Sequence, residues 1–253
     1  MASVPAAPAS EKSARVKAVF EEPQRYLNNF GLHIRVRAET VQAYAARLDS
    51  RRVLDIGCGD GSISLPLLNR RTHVTLLDFS ASMTALARSR VPEELAGQVD
   101  VRNEDFMTAT FADRFDLIVC LGVLAHADSP EKLLGKIASL LAPGGHLILQ
   151  FTDAYHFSGR LERMLRAVRE FIAPARFPVN LFSFERVARL TGASGLRFVS
   201  QYRFGLPPIP GVEMLGGESL YKLVRLVHGS CGHERNAWLG SEYICLLSRD
   251  SAA

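Results

Sequence analysis

Asp55 closes a short apolar run, Val53-Leu54-Asp55-Ile56, and the chain then turns through Gly57-Cys58-Gly59-Asp60-Gly61. Alternating glycines let the backbone approach a ligand closely, and a helix opening after such a turn presents N–H groups that have no intrahelical partner. A second apolar run, HVTLLD, ends in Asp78, seventeen residues after Gly61. An acid at the tip of a second strand can hold a ribose diol through two hydrogen bonds. A third acid, Asp105, follows the third run within Asn103-Glu104-Asp105-Phe106. It can accept from an adenine amino group while Phe106 or Phe79 lies against the ring.

Two features turn this pattern away from a dinucleotide. The spacing GxGxG departs from GxGxxG, and Asp55 would confront a pyrophosphate with like charge. A ligand that is cationic near the loop fits better. S-Adenosylmethionine carries an ammonium and a sulfonium where a dinucleotide carries phosphates.

Further candidates lie where an acceptor would meet that ligand. His126, in the loop Leu124-Ala125-His126-Ala127-Asp128 after the fourth run, can serve as a general base or can hold the turn through backbone hydrogen bonds. Tyr155 and His156 follow the fifth run at the same edge and are substrate candidates, with a solvated loop as the plain alternative. Tyr26 is a third, against simple inward packing of an amphipathic helix. Arg160, Arg163, Arg166 and Arg169 alternate with Leu161, Leu165, Val168 and Ile172 and read as a solvated helix face, or as a surface for an acidic acceptor, a carrier protein or anionic lipid. His228, Cys231, His233 and Cys245 match no zinc spacing, so no metal is expected.

These residues need elements to hold them. Short apolar runs at Val53–Ile56, Val74–Asp78, Val99–Arg102, Phe115–Leu121 and His146–Phe151 alternate with helical stretches at 62–70, 80–90 and 130–142. Continuously apolar strands separated by helices predict a doubly wound parallel α/β sheet covered on both faces. Ser80 and Ser129-Pro130-Glu131 carry helix-start chemistry, and Pro143-Gly144-Gly145 reads as the stop of the third helix. A helical lead-in is expected before the first strand, broken at Gly31. Beyond the fifth strand the pattern predicts an amphipathic helix over 158–171, a helix capped by Ser183, and strands at Leu196–Phe204 and Tyr243–Ser248. The long connection between those strands, with Pro207-Pro208-Ile209-Pro210-Gly211 and Gly216-Gly217, reads as a binding loop or lid.

The chain has 253 residues, a net charge of +4 and 47% apolar residues, enough for one large domain. The charge is uneven: residues 156–236 carry net +6 and the remainder −2. Any anionic partner should therefore meet the C-terminal half. Four cysteines without a CxxC pair favour reduced thiols, and the longest apolar stretch, Leu117–Ala125, falls well short of the roughly 18 residues a spanning helix needs. A cytoplasmic protein is expected, with a disordered tail over 1–14 and one domain over 15–250. That domain divides into a helical cap over 15–48, a cofactor core over 50–151, and acceptor lid elements over 152–182 and 205–240.

Taken in order, VLDIGCGDG, LLDFSASM, NEDF, FDLIVCLGVLAHADSP and LLAPGGHLIL resemble the class I S-adenosylmethionine-dependent methyltransferases over residues 50–151. The resemblance implies a Rossmann-like seven-stranded sheet of order 3-2-1-4-5-7-6 with strand 7 antiparallel. It implies that Asp55, Gly57, Cys58, Gly59 and Gly61 shape the pocket for the amino-acid end of S-adenosylmethionine. Asp78 would hold the ribose, Asp105 and Phe106 the adenine, and Leu121 the side of the methionine moiety. Within the family the chain is similar to small-molecule enzymes of the ubiquinone/menaquinone, magnesium-protoporphyrin and glycine N-methyltransferase types, and Tyr26-Leu27-Asn28-Asn29 resembles their cofactor-closing N-terminal segment.

The expected function is therefore methyl transfer to the O, N or C nucleophile of a small-molecule acceptor, leaving S-adenosylhomocysteine, with a homodimer admitted. Two other classes compete. A nucleic-acid methyltransferase is disfavoured because Leu121-Gly122-Val123-Leu124 stands where enzymes acting on exocyclic base nitrogens carry Asn/Asp-Pro-Pro-aromatic. A catalytically silent cofactor-binding adaptor is disfavoured by the intact loop.

Overall fold

The computed structural model describes residues 23–157, 160, 180–206 and 216–249, with side chains from residue 31 onward. The expected tail over 1–14, most of the helix over 158–171, the Pro207–Gly211 turn and the Tyr26 side chain lie outside the described residues. Seven strands form the main sheet: β1 (Arg52–Ile56), β2 (His73–Asp78), β3 (Val99–Asn103), β4 (Phe115–Cys120), β5 (Leu141–Thr152), β6 (Leu196–Phe204) and β7 (Glu242–Arg249). Their order is β3-β2-β1-β4-β5-β7-β6. Neighbours from β3 through β5 pair in parallel, whereas β7 runs antiparallel to both β5 and β6.

The apolar runs are buried on both faces because successive side chains of a strand point to opposite sides. Leu54, Ile56, Leu77, Ile118, Cys120, Leu147, Leu149, Cys245 and Leu247 fill one core. Their neighbours Val53, Val74, Leu76, Leu117, Val119, Ile148, Ile244 and Leu246 fill the other. That second core is closed by the lead-in helix α1 (Pro23–Ala45), through fully buried Val36, Val41 and Tyr44. The Tyr44 hydroxyl donates to the Ile244 carbonyl at 3.2 Å, which ties α1 to β7.

Helix α2 (Ala81–Ser89) starts at Ser80, whose Oγ accepts from the Met83 N–H; α3 (Pro130–Leu140) starts at Ser129, whose Oγ accepts from Lys132 N–H; and α4 (Phe184–Ala193) starts at Ser183, whose Oγ accepts from Arg186 N–H. Four expectations need correction. Gly31 does not break α1: nothing crowds it, and the packing of the residues after it outweighs the roughly 1 kcal/mol a helical glycine costs. The stretch 62–70 is not an α-helix but a single 3-10 turn at Leu65–Leu67, containing Pro66, which lacks a donor; the chain then folds into a turn in which Asn69 bonds Arg71 N–H and Thr72.

Pro143-Gly144-Gly145 does not stop α3, which already ends at Leu140. It lies within β5 as an irregularity, because β4 pairs Phe115 with Leu141 and then Leu117 with His146. The connection between β6 and β7, expected as a binding loop or lid, is also more structured than that. It contains α5 (Gly217–His228), a short hairpin pairing Gly229–Ser230 with His233–Glu234, and a 3-10 turn at Ala237–Leu239.

Candidate cofactor and acceptor site

The carboxyl ends of β1 and β2 are joined by backbone. The N–H groups of Gly57 and Cys58 both donate to the Leu77 carbonyl, at 2.8 and 3.1 Å. Gly57 takes φ +71°, and a Cβ there would stand 2.5 Å from Val123 Cγ2, so only glycine lets the loop pack under the end of β4. Gly59 takes φ +55° with nothing within 4 Å of its Cβ position, which leaves the backbone open to a ligand.

Asp78 is buried, and its carboxylate is fixed by two backbone donors: Gly59 N–H to Oδ2 and Ser80 N–H to Oδ1, both at 2.9 Å. Asp55 is more deeply placed, at 2% exposure, and its Oδ2 has no hydrogen-bond partner. Burial, with the charges of Asp78 and Asp60 added, pushes its carboxyl up to about 7. A buried carboxylate oxygen without a partner is costly, and a cationic ligand group is the compensation it lacks. Asp60 already has such compensation, from Arg90 and from the Ser62 hydroxyl at 2.7 Å. Cys58 is buried, and burial together with Asp55, Asp78 and Asp60 holds its thiol far above its ordinary range, so it lines the loop as an apolar group.

Asp105 is exposed at the start of the turn after β3. Its Oδ1 accepts from Met107 N–H at 2.7 Å, and its carbonyl accepts from Thr108 and Ala109. From α3, the Lys136 ammonium donates to the carbonyls of Phe106, Met107 and Ala109 at 2.5, 3.1 and 2.6 Å and clamps this turn. The Phe106 ring is buried in the core, 6.2 Å from the Phe111 ring and beneath Lys136. Phe79 is half-buried beside Asp78. Leu121 is buried at the end of β4.

His126 ends a 3-10 turn, Leu124–His126, that follows β4. Asn180 pins that loop, donating its backbone N–H to Ala125 O at 2.8 Å and its side-chain amide to Ala127 O at 2.7 Å. Tyr155 and His156 follow β5, where Asp153 Oδ1 accepts both their backbone N–H groups at 2.9 and 3.0 Å. Tyr155 is exposed; His156 is half-buried, and burial followed by Arg203 lowers its basicity. Past them lie two exposed rings, Phe157 and Trp238, with centroids 5.6 Å apart.

One residue emerges only from the fold. Arg37 on α1 is half-buried, its Nε is sealed from solvent, and it makes no hydrogen bond or ion pair with the described residues. Its Nη1 stands 3.7 Å from the Cβ position of Gly122, next to Leu121 and Val123. Burial and the Arg37 charge push His33 down to about 4, so that imidazole is neutral. In the sequence Arg37 is one of 25 arginines, and only its place one residue after core-facing Val36 sets it apart.

A family described as "Methyltransferase domain" matches residues 25–201. The ubiquinone biosynthesis O-methyltransferase of Actinobacillus pleuropneumoniae is 28% identical over 177 residues, spanning 68% of this chain and 71% of that one. Among solved structures, a SAM-dependent methyltransferase from Thermotoga maritima, described as a possible histamine N-methyltransferase, superposes with a TM-score of 0.65 at 17% identity, over 95% of this chain and all of the other. The magnesium protoporphyrin IX methyltransferase of Synechocystis, solved with bound SAH, gives 0.64 at 18% identity over 95% of this chain and all of that one.

Proposed function

The chain belongs to the methyltransferase-domain family, and from that premise we propose that it carries a methyl group from S-adenosylmethionine to a small-molecule acceptor, with hydroxyl oxygen as the nucleophile. The observation that carries the cofactor assignment is the pairing of two uncompensated charges around one glycine loop. Among the described residues Asp55 Oδ2 lies buried without a hydrogen-bond partner beneath the loop, and the Arg37 guanidinium stands without one beside Gly122, whose neighbour Val123 abuts Gly57. An α-amino acid end supplies an ammonium for the first and a carboxylate for the second.

When bound, S-adenosylmethionine supplies an electrophilic methyl on sulfonium, and S-adenosylhomocysteine is what remains. The chain's own residues bind and orient. Asp78 accepts from the ribose hydroxyls, Asp105 accepts from the adenine amino group through Oδ2, and Gly59 allows close backbone approach. Because methyl transfer is an in-line displacement, alignment and exclusion of water account for most of the acceleration. His126, which ends the 3-10 turn after β4, accepts the proton a hydroxyl acceptor loses. The name of the Actinobacillus relative supports oxygen as the nucleophile. No helix among the described residues is long and apolar enough to cross a membrane, in keeping with a cytoplasmic enzyme.

Titration calorimetry with S-adenosylhomocysteine tests the cofactor assignment. Saturable binding to the intact chain, weakened about tenfold to a hundredfold by Arg37→Met, is expected from loss of a charged hydrogen-bond pair. No heat and no thermal shift at millimolar ligand would sink it. The acceptor class is tested by screening phenols and alcohols against the corresponding amines for acceptor-dependent release of S-adenosylhomocysteine.

A further inference from the structure

Helix α1, which carries Arg37, is not held by apolar packing alone. One residue pair along, on the same helix, Glu39 reaches α5 in the connection between β6 and β7. Its two carboxylate oxygens accept from the Tyr221 hydroxyl at 2.8 and 2.9 Å, and Oε2 also accepts from the Arg225 guanidinium. Arg225 is itself fixed, donating from Nη1 to the Tyr202 hydroxyl and to the Gly229 carbonyl, each at 3.0 Å. Its side chain is 15% exposed and that of Glu39 38%, so the pair is shielded on the Arg225 side and open to solvent at the carboxylate. On the outer side Arg35 lies 3.5 Å over the Tyr221 ring and pairs with Glu218 at 2.8 Å.

The network has a direction. Tyr202 belongs to the sheet, Tyr221 and Arg225 to the lid connection, and Glu39 to the helix that aims Arg37 at Gly122. Arg37 has no hydrogen-bond or ion-pair partner among the described residues, so the setting of α1 governs where its guanidinium stands. We propose that Glu39 is a positioning residue for the cofactor's amino-acid end: through Tyr221 and Arg225 it locks α1 to the lid, so that the lid sets the affinity for the cofactor. This rests on the assignment of Arg37 to the ligand carboxylate.

A lock of this kind has a thermodynamic corollary. If the lid and the cofactor share α1, anything that orders α5 raises cofactor affinity, and cofactor orders α5 by the same factor. The two halves of the site are then coupled through the back of the lid, away from the reacting atoms.

A double-mutant cycle separates positioning from mere structure. Two ligands are titrated: S-adenosylhomocysteine, and 5′-methylthioadenosine, which lacks the amino-acid end. Glu39→Gln should weaken S-adenosylhomocysteine by about threefold to tenfold, leave 5′-methylthioadenosine within about twofold, and add nothing in an Arg37→Met background, as coupled residues do. Tyr221→Phe, a milder change that keeps the ring under Arg35, should show the same ligand selectivity. If Arg37→Met discriminates between the ligands while Glu39→Gln weakens both alike, neither, or additively with Arg37→Met, the positioning role is overturned. If Arg37→Met itself fails to discriminate, the carboxylate assignment fails, and this inference with it.

Discussion

The backbone N–H of Gly59 donates to Oδ2 of Asp78 at 2.9 Å, which makes the loop after β1 and the tip of β2 one unit. The same carboxylate that would receive a ribose therefore also holds the glycine loop in its left-handed turn. Ligand affinity and loop geometry are expected to fail together. Asp78→Ala should weaken S-adenosylhomocysteine by about 1–3 kcal/mol and lower Tm, because Gly59 and Ser80 both lose a charged acceptor in a buried place. Asp78→Asn, which keeps one acceptor oxygen, should keep more of the Tm than of the affinity. Calorimetry and thermal melts on both variants provide the check.

Asp55 gives a pH signature. Its carboxyl sits at about 7 when folded, against an ordinary value near 4 when unfolded, so between those limits the folded state holds a proton that the unfolded state has lost. The unliganded protein should accordingly lose stability as pH rises through this window and level off above it. Cofactor binding should show the opposite slope. A ligand ammonium favours the ionised carboxylate, so affinity rises with pH up to about 7 and protons are released on binding below it. Asp55→Asn should flatten both curves.

Gly57→Ala is expected to be among the most damaging single-methyl changes in the chain. The new Cβ would meet Val123 Cγ2 at 2.5 Å on a backbone with φ +71°, and strain of each kind costs on the order of 1–3 kcal/mol. Val123→Ala in the same chain removes the clash and leaves the strained φ. Partial recovery of Tm in the double variant, with cofactor affinity still reduced, is the expected outcome.

His126→Gln tests the proton step. For a hydroxyl acceptor, kcat should fall by about two to four powers of ten with S-adenosylhomocysteine affinity intact. A small loss that tracks lowered Tm would assign His126 to the loop that Asn180 pins, and leave the acceleration to alignment.

Sequence reasoning found Asp55 and Asp78 because each is the last or nearly the last residue of an apolar run, and the end of a parallel strand is a fixed place in this kind of sheet. The burial of the Phe106 ring was not legible, because the direction of a side chain beyond a strand end is set by the turn, here by Lys136 reaching across from α3 to three carbonyls. Arg37 carried no local signal: its environment is made by Gly122 and Val123, some 85 residues on. Helix α5 was hidden for a different reason. Its inward positions Leu220, Val224 and His228 follow helical spacing, but two glycines and a proline-rich stretch before them read as loop. The β5 irregularity at Pro143–Gly145 shows the converse, where strong turn residues were absorbed by a strand without ending it.

The reversed last strand has a further consequence. Because β7 opposes both β5 and β6, the end of β6 at Phe204, the start of β7 at Glu242 and the end of β5 at Thr152 meet side by side, with Thr152 and Gln150 both bonding the Glu242 carboxylate. Chain that leaves the sheet after Phe204 thus comes back beside its point of departure, on the rim formed by the end of β5. Such a segment can be lengthened, shortened or replaced without moving any strand, which makes the rim a place where one scaffold can diversify its choice of acceptor. The tie through Glu39 sets the limit on that freedom: an exchanged segment must still meet α1, or, on the proposed role of Glu39, the exchange that creates a new acceptor preference also loosens the grip on the methyl donor.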